Sequence, residues 1–420
     1  MAEDEARGLN PETIAVSHGY DPQSAMGAAK PPLYLTSTFV YRSAQHAKDA
    51  HRIFFDGPAQ GDEGRGAHIY ARLGHPNLDM VEARLAALDK AEASAGFCSG
   101  MAAISTVLLA HLQPGDVVLH SLPIYGGADS LLNKVMAGFG VKAFHFADGL
   151  DAAAIRRAAD AAATAGPVRL IWLETPANPT GAVVDVALVV EVAGELAARQ
   201  GFRPIVAVDN TFLGPLLQCP LSLGADLTMT SLTKYCGGHS DLLAGGVSGR
   251  AELIGPLRAL RTSLGNPMDA HSAWLLLRSL ETLPLRTARA CETALAIARF
   301  LRGHPKVAGV TFVGLAEPGS PVEALMRRQA SGSGSTFSFR IKGGEAEAFR
   351  LLDALKLLRL AVSLGGSETL ICHPASTTHY PIARDRLAEA GVIEATLRLS
   401  VGLEHPDDLI ADLSQALDRV

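Results

Sequence analysis

Residues 204–241 read PIVAVDNTFLGPLLQCPLSLGADLTMTSLTKYCGGHSD. Two apolar runs of strand length, Pro204–Asp209 and Leu227–Thr230, each end in a polar turn. The first runs straight into the carboxylate of Asp209. The second runs into Ser231-Leu-Thr233-Lys234, with paired glycines at Gly237 and Gly238. Strands this apolar belong to a sheet covered on both faces. Ligands of such a sheet sit beyond the carboxyl ends of its strands. The segment therefore puts an acid, two hydroxyls and a lysine where chemistry is to be sought. Taken singly, each has a plainer reading: Asp209 as a turn or helix-capping residue, Lys234 as a surface lysine.

The same rhythm extends on both sides. Strand-length runs at Ala93–Cys98, Val117–His120, Val141–Phe146, Val168–Glu174 and Leu243–Ser248 join the two above. Helical stretches lie between most of them: Leu78–Leu88, Met101–Leu112, Ala128–Ala137, Ala152–Ala163 and Val186–Arg199. The alternation predicts an α/β domain with a mostly parallel sheet. After Gly265 the rhythm shifts. His271–Leu301 reads as a long helical stretch bent or broken at Pro284. Strands near Val307–Phe312, Thr336–Ile341 and Thr396–Val401, with helices near Gly344–Leu357 and Pro406–Leu417, predict a smaller α+β domain. The opening residues read as an arm, since Pro31-Pro32 and the stretch from Gly57 to Gly66 resist regular structure. The expected division is 1–67, 68–265 and 266–420.

A chain of 420 residues is long for one core, which favours more than one domain. The formal charge of −6 provides no basic excess for nucleic acid. No apolar run reaches the ~18 residues of a membrane span, and the acidic start, Met1-Ala-Glu-Asp-Glu, has no apolar signal region. Five scattered cysteines without a Cys-x-x-Cys pair fit reduced thiols, hence a cytoplasmic location. The histidines form no metal-ligand cluster, so no metal is expected.

A third element is Gly96-Phe-Cys-Ser99-Gly100-Met101, a glycine turn entering a helix, which is a generic anion site. Together the three elements suggest one ligand. Its phosphate meets Ser99–Met101, Ser231 and Thr233, its aldehyde meets Lys234, and its cationic ring nitrogen meets Asp209. Pyridoxal 5′-phosphate (PLP) has all three groups. A nicotinamide oxidoreductase lacks its Gly-x-Gly-x-x-Gly after a first strand. An α/β-hydrolase lacks the closing glycine of a nucleophile elbow around Gly238-His-Ser240-Asp. A catalytically dead scaffold has no use for Lys234, Asp209 and, in a later strand, Arg398 together.

With these residues in view, nearly the whole chain resembles the Cys/Met-metabolism family of PLP enzymes. That family includes cystathionine γ-synthases and γ-lyases, methionine γ-lyases and O-acylhomoserine sulfhydrylases. The resemblance rests on Pro32-Leu-Tyr-Leu-Thr-Ser-Thr-Phe, Tyr70-Ala-Arg72, Ser99-Gly-Met, Tyr125-Gly-Gly, Glu174-Thr-Pro-Ala-Asn178-Pro, Val208-Asp-Asn-Thr-Phe, Ser231-Leu-Thr-Lys-Tyr, Ser363-Leu-Gly-Gly, Thr378-His and Arg398-Leu-Ser-Val. It implies fold type I, the aspartate-aminotransferase-like PLP-transferase fold, with a mostly parallel seven-stranded sheet and a smaller C-terminal domain.

The resemblance also implies roles. Lys234 is the Schiff-base lysine and proton carrier, Asp209 the partner of the ring nitrogen, and Tyr125 the residue that stacks on the ring and passes a proton. Ser99, Gly100, Met101, Ser231 and Thr233 hold phosphate, with Thr211 kept beside Asp209. Asn178, Ser363, Thr378 and Arg398 hold the ring oxygen and the substrate carboxylate, a task suited to arginine's planar fork. Tyr70 and Arg72 reach the phosphate of a neighbouring subunit, so the arm meets a partner and the assembly is a homo-oligomer, a tetramer built as a dimer of dimers.

Departures from the family pattern bear on substrate. His75 replaces a usual asparagine, and Phe212-Leu-Gly-Pro215 lacks a hydroxyl often found before that proline. Val362 stands where enzymes acting on cystathionine carry a glutamate. Gly127 stands where methionine γ-lyases carry a cysteine, and the missing side chain is expected to admit a bulkier or polar γ-substituent. The expected reaction is γ-elimination through a vinylglycine-type intermediate, giving a 2-oxo acid and ammonia. Expected substrates are methionine, homocysteine or a C–O compound such as canavanine or an O-acylhomoserine. The alternative is γ-replacement, in which a thiol or water captures the same intermediate.

Overall fold

The computed structural model describes residues 8–57, 67–380, 382 and 384–420. Most of the Gly57–Gly66 stretch lies outside them. Seven strands form the larger sheet: β1 Ala93–Phe97, β2 Val117–Ser121, β3 Lys142–Phe146, β4 Val168–Glu174, β5 Ile205–Asp209, β6 Leu227–Thr230 and β7 Gly245–Gly249. Their spatial order is β1-β7-β6-β5-β4-β2-β3. β2 through β6 pair in parallel, while β7 runs antiparallel to both β6 and β1.

The continuous apolar reading of the strands has a direct cause. On β4, Leu170 and Trp172 face one layer, with Ile104 and Val107 of the helix Gly100–His111 and Leu257 of the helix Ala251–Leu264. Ile171 and Leu173 face the other, with Ile155 of the helix Ala152–Ala165 and Val189 and Val192 of the helix Val186–Gln200. Side chains alternate across the sheet, and both faces are covered. β7 enters the sheet because it is glycine-rich. A Cβ on Gly245 would lie 2.3 Å from the Ser99 carbonyl oxygen.

The second sheet has the order β10-β11-β12-β9-β8, from β8 Val307–Thr311, β9 Thr336–Ile341, β10 Arg359–Leu360, β11 Leu370–Cys372 and β12 Thr396–Ser400. Its inner face packs on the helices Leu283–Gly303, Glu345–Ala354 and Pro406–Leu417 through Ile297, Leu301, Leu351, Leu397, Leu409 and Leu413. The expected fold class, α/β with a mostly parallel sheet and a smaller second domain, is the observed one.

Several local expectations are corrected. The long C-terminal helix breaks at Glu281–Thr282, and Pro284 sits in the first turn of the next helix, where its missing N–H costs nothing. The arm contains the helices Pro11–Ser17 and Ala44–Asp56. The second carries an apolar stripe of Ala47, Ala50, Ile53 and Phe54 but buries only Ala50 within this chain, and the prolines and glycines on either side mask it. The helix Ala251–Leu264 was hidden by Pro256 within it. β10 and β11 are too short to leave a pattern. Among the described residues, no helix is long and apolar enough to cross a membrane.

Candidate active site

The parallel strands β2, β4, β5 and β6 direct their carboxyl ends to one edge of the sheet. The chain passes from β2 outward to β3, then crosses back to β4 and on to β5, so the loops after β2 and β4 flank a switch in strand order, where α/β sheets bind ligands. Tyr125 follows β2, Glu174 ends β4, Asp209 ends β5, and Ser231 follows β6. The second sheet supplies Arg398 from β12, and its neighbouring loops supply Val362, Ser363 and Thr378.

These residues enclose a cavity of about 290 Å³. Every expected site residue lines it except Tyr70 and Arg72. Lys234 Nζ donates to Ser363 Oγ at 2.7 Å. Burial, and then the nearby Arg398 guanidinium, pull the lysine down to about 8. Arg398 is 3% exposed. Its Nη1 donates to Asn178 Oδ1 at 3.0 Å and its Nη2 to the Ser363 carbonyl at 2.7 Å. Its Nε is buried without a hydrogen-bond partner among the described residues. An arginine so placed offers an anion an unfilled donor.

At the opposite end, Ser99 caps the helix Gly100–His111, its Oγ accepting from the Ala102 amide at 3.1 Å. A Cβ on Gly100 would come within 2.9 Å of Ser231 Oγ, so only glycine lets that hydroxyl reach the helix N-terminus. The Thr233 hydroxyl is engaged with the Ala244 backbone, donating to its carbonyl and accepting from its amide. Asp209 Oδ1 accepts from the amide of Thr211 at 3.0 Å and from its hydroxyl at 2.6 Å. Burial raises this carboxyl's pKa, against those hydrogen bonds. A cationic ligand group there relieves the burial cost. Helix N-terminus and hydroxyl, amine, carboxylate and orphaned guanidinium N–H thus line one enclosure and fit a phosphorylated pyridine aldehyde carrying an amino acid.

Tyr70 and Arg72 lie elsewhere. With Thr36, Ser37 and His75 they line a second cavity of about 530 Å³. Arg72 Nη1 donates to the Thr262 carbonyl at 2.6 Å, and its guanidinium carbon lies 5.9 Å from the Tyr70 ring centre.

Two departures acquire physical content. His75 caps the helix Pro76–Asp89: its Nδ1 accepts from the Leu78 amide at 3.2 Å, and its Nε2 bonds the Met268 carbonyl at 2.9 Å. The network fixes a neutral ring with the proton on Nε2, and burial lowers its pKa. The expectation of extra room at Gly127 is corrected. An ideal Cβ there would lie 2.6 Å from Tyr125 Cε1 and 2.9 Å from Met101 Sδ, so the Tyr125 ring already occupies the space.

Six lining residues escape the sequence reading of the site: the apolar Ile104, Met229 and Leu364, and Glu174, Phe212 and Leu243. Glu174 carries the signal that exposes Asp209, an apolar strand running into a carboxylate. Phe212 stands inside a quoted motif. Leu243 has no distinguishing mark.

A family model described as Cys/Met metabolism PLP-dependent enzyme matches residues 12–418. The chain is 40% identical over 407 residues to an L-methionine γ-lyase of Pseudomonas putida, covering 96% of each. It is 38% identical over 425 residues to a cystathionine γ-synthase of Mycobacterium bovis, covering 99% of this chain and 100% of the relative. The crystal structure of cystathionine γ-synthase from Xanthomonas oryzae pv. oryzae, in complex with aminoacrylate and cysteine, matches with a TM-score of 0.86, 37% identity and 98% coverage of both chains.

Proposed function

The chain belongs to the Cys/Met metabolism family of PLP-dependent enzymes, and from that premise we propose that it is a γ-lyase acting on methionine, homocysteine or a similar γ-substituted L-amino acid. At the coarser level its chemistry is PLP-dependent γ-elimination or γ-replacement. The observation that carries the finer reading is the apolar side of the cavity around Val362, Leu243 and Phe212. The two carboxylates lining the cavity, Glu174 and Asp209, are both buried, so among the described residues that line it no exposed acid stands beside Val362 for a distal ammonium. A thioether or thiol suits that surface.

PLP held at the phosphate end supplies an aldehyde for the amine and a protonated ring that withdraws electrons from the substrate's α-carbon. The chain's own residues do the rest. Arg398 holds the α-carboxylate through its free Nε–H and its fork. Asn178 and the Ser363 carbonyl keep that fork from turning. Lys234 Nζ, oriented by Ser363 Oγ, takes the proton from Cα and then one from Cβ. Tyr125 gives a proton to the departing γ-sulfur. Methionine and water then yield 2-oxobutanoate, ammonia and methanethiol.

The test is a panel of γ-substituted amino acids, including canavanine and O-acylhomoserines, assayed with and without a thiol. Release of 2-oxo acid from methionine or homocysteine supports the lyase. Thioether formation from an O-acylhomoserine, with no 2-oxo acid from any substrate, supports replacement. The similarity to a cystathionine γ-synthase is the reason to keep that second reading.

The placement of Tyr70 and Arg72 in a cavity separate from that of Lys234 supports a shared site in which a second copy supplies them, within a homotetramer. Light scattering reads the assembly. Mixing Lys234→Ala with Arg72→Ala subunits restores activity only if sites are shared. Unpaired cysteines favour a cytoplasmic location.

A further inference from the structure

Glu174 ends β4 and pairs in register with Asp209 on β5. It is 4% exposed. A second buried carboxylate beside Asp209 is costly, since two acids in one site oppose each other's ionisation. Burial, and then Asp209, push the Glu174 pKa above its usual range, while the Asn178 and Tyr125 amides and the Arg398 guanidinium oppose that rise and favour the ionised carboxylate. Its two oxygens serve two loops. Oε2 accepts from the Tyr125 amide at 2.5 Å, and Oε1 accepts from the Asn178 amide at 2.7 Å. Tyr125 opens the helix Gly126–Ser130, and the Asn178 side chain holds Arg398 Nη1.

We infer that Glu174 is a positioning residue whose carboxylate clamps the Tyr125 loop to the Asn178 loop, fixing the tyrosine ring relative to the Arg398 carboxylate anchor. The inference rests on the roles proposed above for Tyr125 and Arg398. A carboxylate suits the clamp because it accepts on both oxygens. A glutamine has one acceptor and one donor, so it turns an N–H toward one of the two amides. Charged groups facing Glu174 are Asp209 from β5 and Arg398 from β12, with the Tyr125 hydroxyl from the loop after β2.

The test is Glu174→Gln in the PLP-loaded protein. Visible circular dichroism of the bound cofactor reads the stacking ring, and titration with glycine, which has no γ-group, reads the carboxylate anchor. The clamp predicts a reduced or reshaped dichroic band and glycine binding weakened about tenfold, the scale of one missing hydrogen bond to a charged group. It also predicts that the loss is not multiplicative in Tyr125→Phe or Asn178→Ala backgrounds, because contacting residues act as a unit. A wild-type band together with wild-type glycine affinity overturns the inference, as do losses that multiply fully in both backgrounds. If far-ultraviolet dichroism shows Glu174→Gln misfolded, Glu174→Asp, too short to reach both amides, is judged by the same two readouts. Wild-type protein that binds PLP but releases no 2-oxo acid defeats the lyase reading instead, and both spectroscopic readouts still decide the clamp.

Discussion

Lys234 and Ser363 meet between the two sheets of the chain: Nζ on the loop after β6 donates at 2.7 Å to a hydroxyl on the loop between β10 and β11. Ser363 holds a backbone φ of +85°, a region that non-glycine residues seldom occupy. The nearby Gly365 explains how the loop comes so close, since a Cβ there would lie 2.6 Å from the Tyr235 amide nitrogen.

The first prediction follows from the lysine's surroundings. Burial and Arg398 place its pKa near about 8 in the ligand-free protein. Only the neutral amine attacks an aldehyde. The rate of PLP capture by apoprotein should therefore rise with pH through about 8 and level above it. Arg398→Gln removes a positive neighbour, so the midpoint should move to higher pH. Stopped-flow absorbance of the Lys234 adduct measures both. A capture rate indifferent to pH between 6 and 10, roughly the range set by neutral-amine chemistry, defeats the claim.

The second concerns Gly127. Because a Cβ there collides with the Tyr125 ring, Gly127→Ala must push the ring off its position. Displacements of ~1 Å near reacting groups cost up to ~10²-fold in rate. We expect kcat to fall at least about tenfold, with thermal stability changed little, because Tyr125 is 39% exposed and has room to move. Gly127→Cys should do the same. A cysteine variant as fast as the wild type would show that the ring is not constrained there.

The third concerns stability and pH. Asp89 is fully enclosed, and burial lifts its pKa to about 7 despite the hydrogen bond from Ser248. Its Oδ1 has no hydrogen-bond partner among the described residues. The unfolded chain releases this proton near the usual aspartate value, about 4. Between about 4 and 7 the folded form therefore binds more protons, and folding stability falls as pH rises through that window. Asp89→Asn removes the charge at constant size. It should be more stable than wild type at pH 8 by on the order of 1–3 kcal/mol, with the advantage gone near pH 4. Urea titrations at the two pH values measure it.

Most of the fold is legible because burial and sequence pattern coincide. Leu170–Leu173 alternate between two covered faces, so all of them have to be apolar. Where that coincidence fails, legibility fails too. The helix Ala44–Asp56 exposes Phe55, and the helix Ala251–Leu264 carries Pro256. Asp209 and Lys234 stand out because a charge directly after an apolar strand is conspicuous. Glu174 has the same mark, but its service to two backbone amides is a matter of geometry. The gap at Gly127 misleads because a missing side chain looks like empty space until the neighbouring ring is placed.

The last prediction concerns the apolar lining at Val362 and Leu243. Val362 is 53% exposed and Leu243 65%, and both line the cavity. A carboxylate at position 362 would stand at the cavity mouth, part hydrated and therefore ionised at neutral pH. It would attract the distal ammonium of cystathionine and disfavour the uncharged thiomethyl group of methionine. A partly exposed ion pair contributes up to about 1 kcal/mol, and a thiomethyl group that no longer rests on an apolar wall forfeits a similar amount. Val362→Glu should therefore move the ratio of kcat/KM for cystathionine over methionine upward by about tenfold. Most of the change should fall in KM, because the residue touches the γ-substituent and not the groups that move protons. An unchanged ratio would mean that the γ-substituent does not lie against Val362, and the specificity argument built on this wall would fail with it.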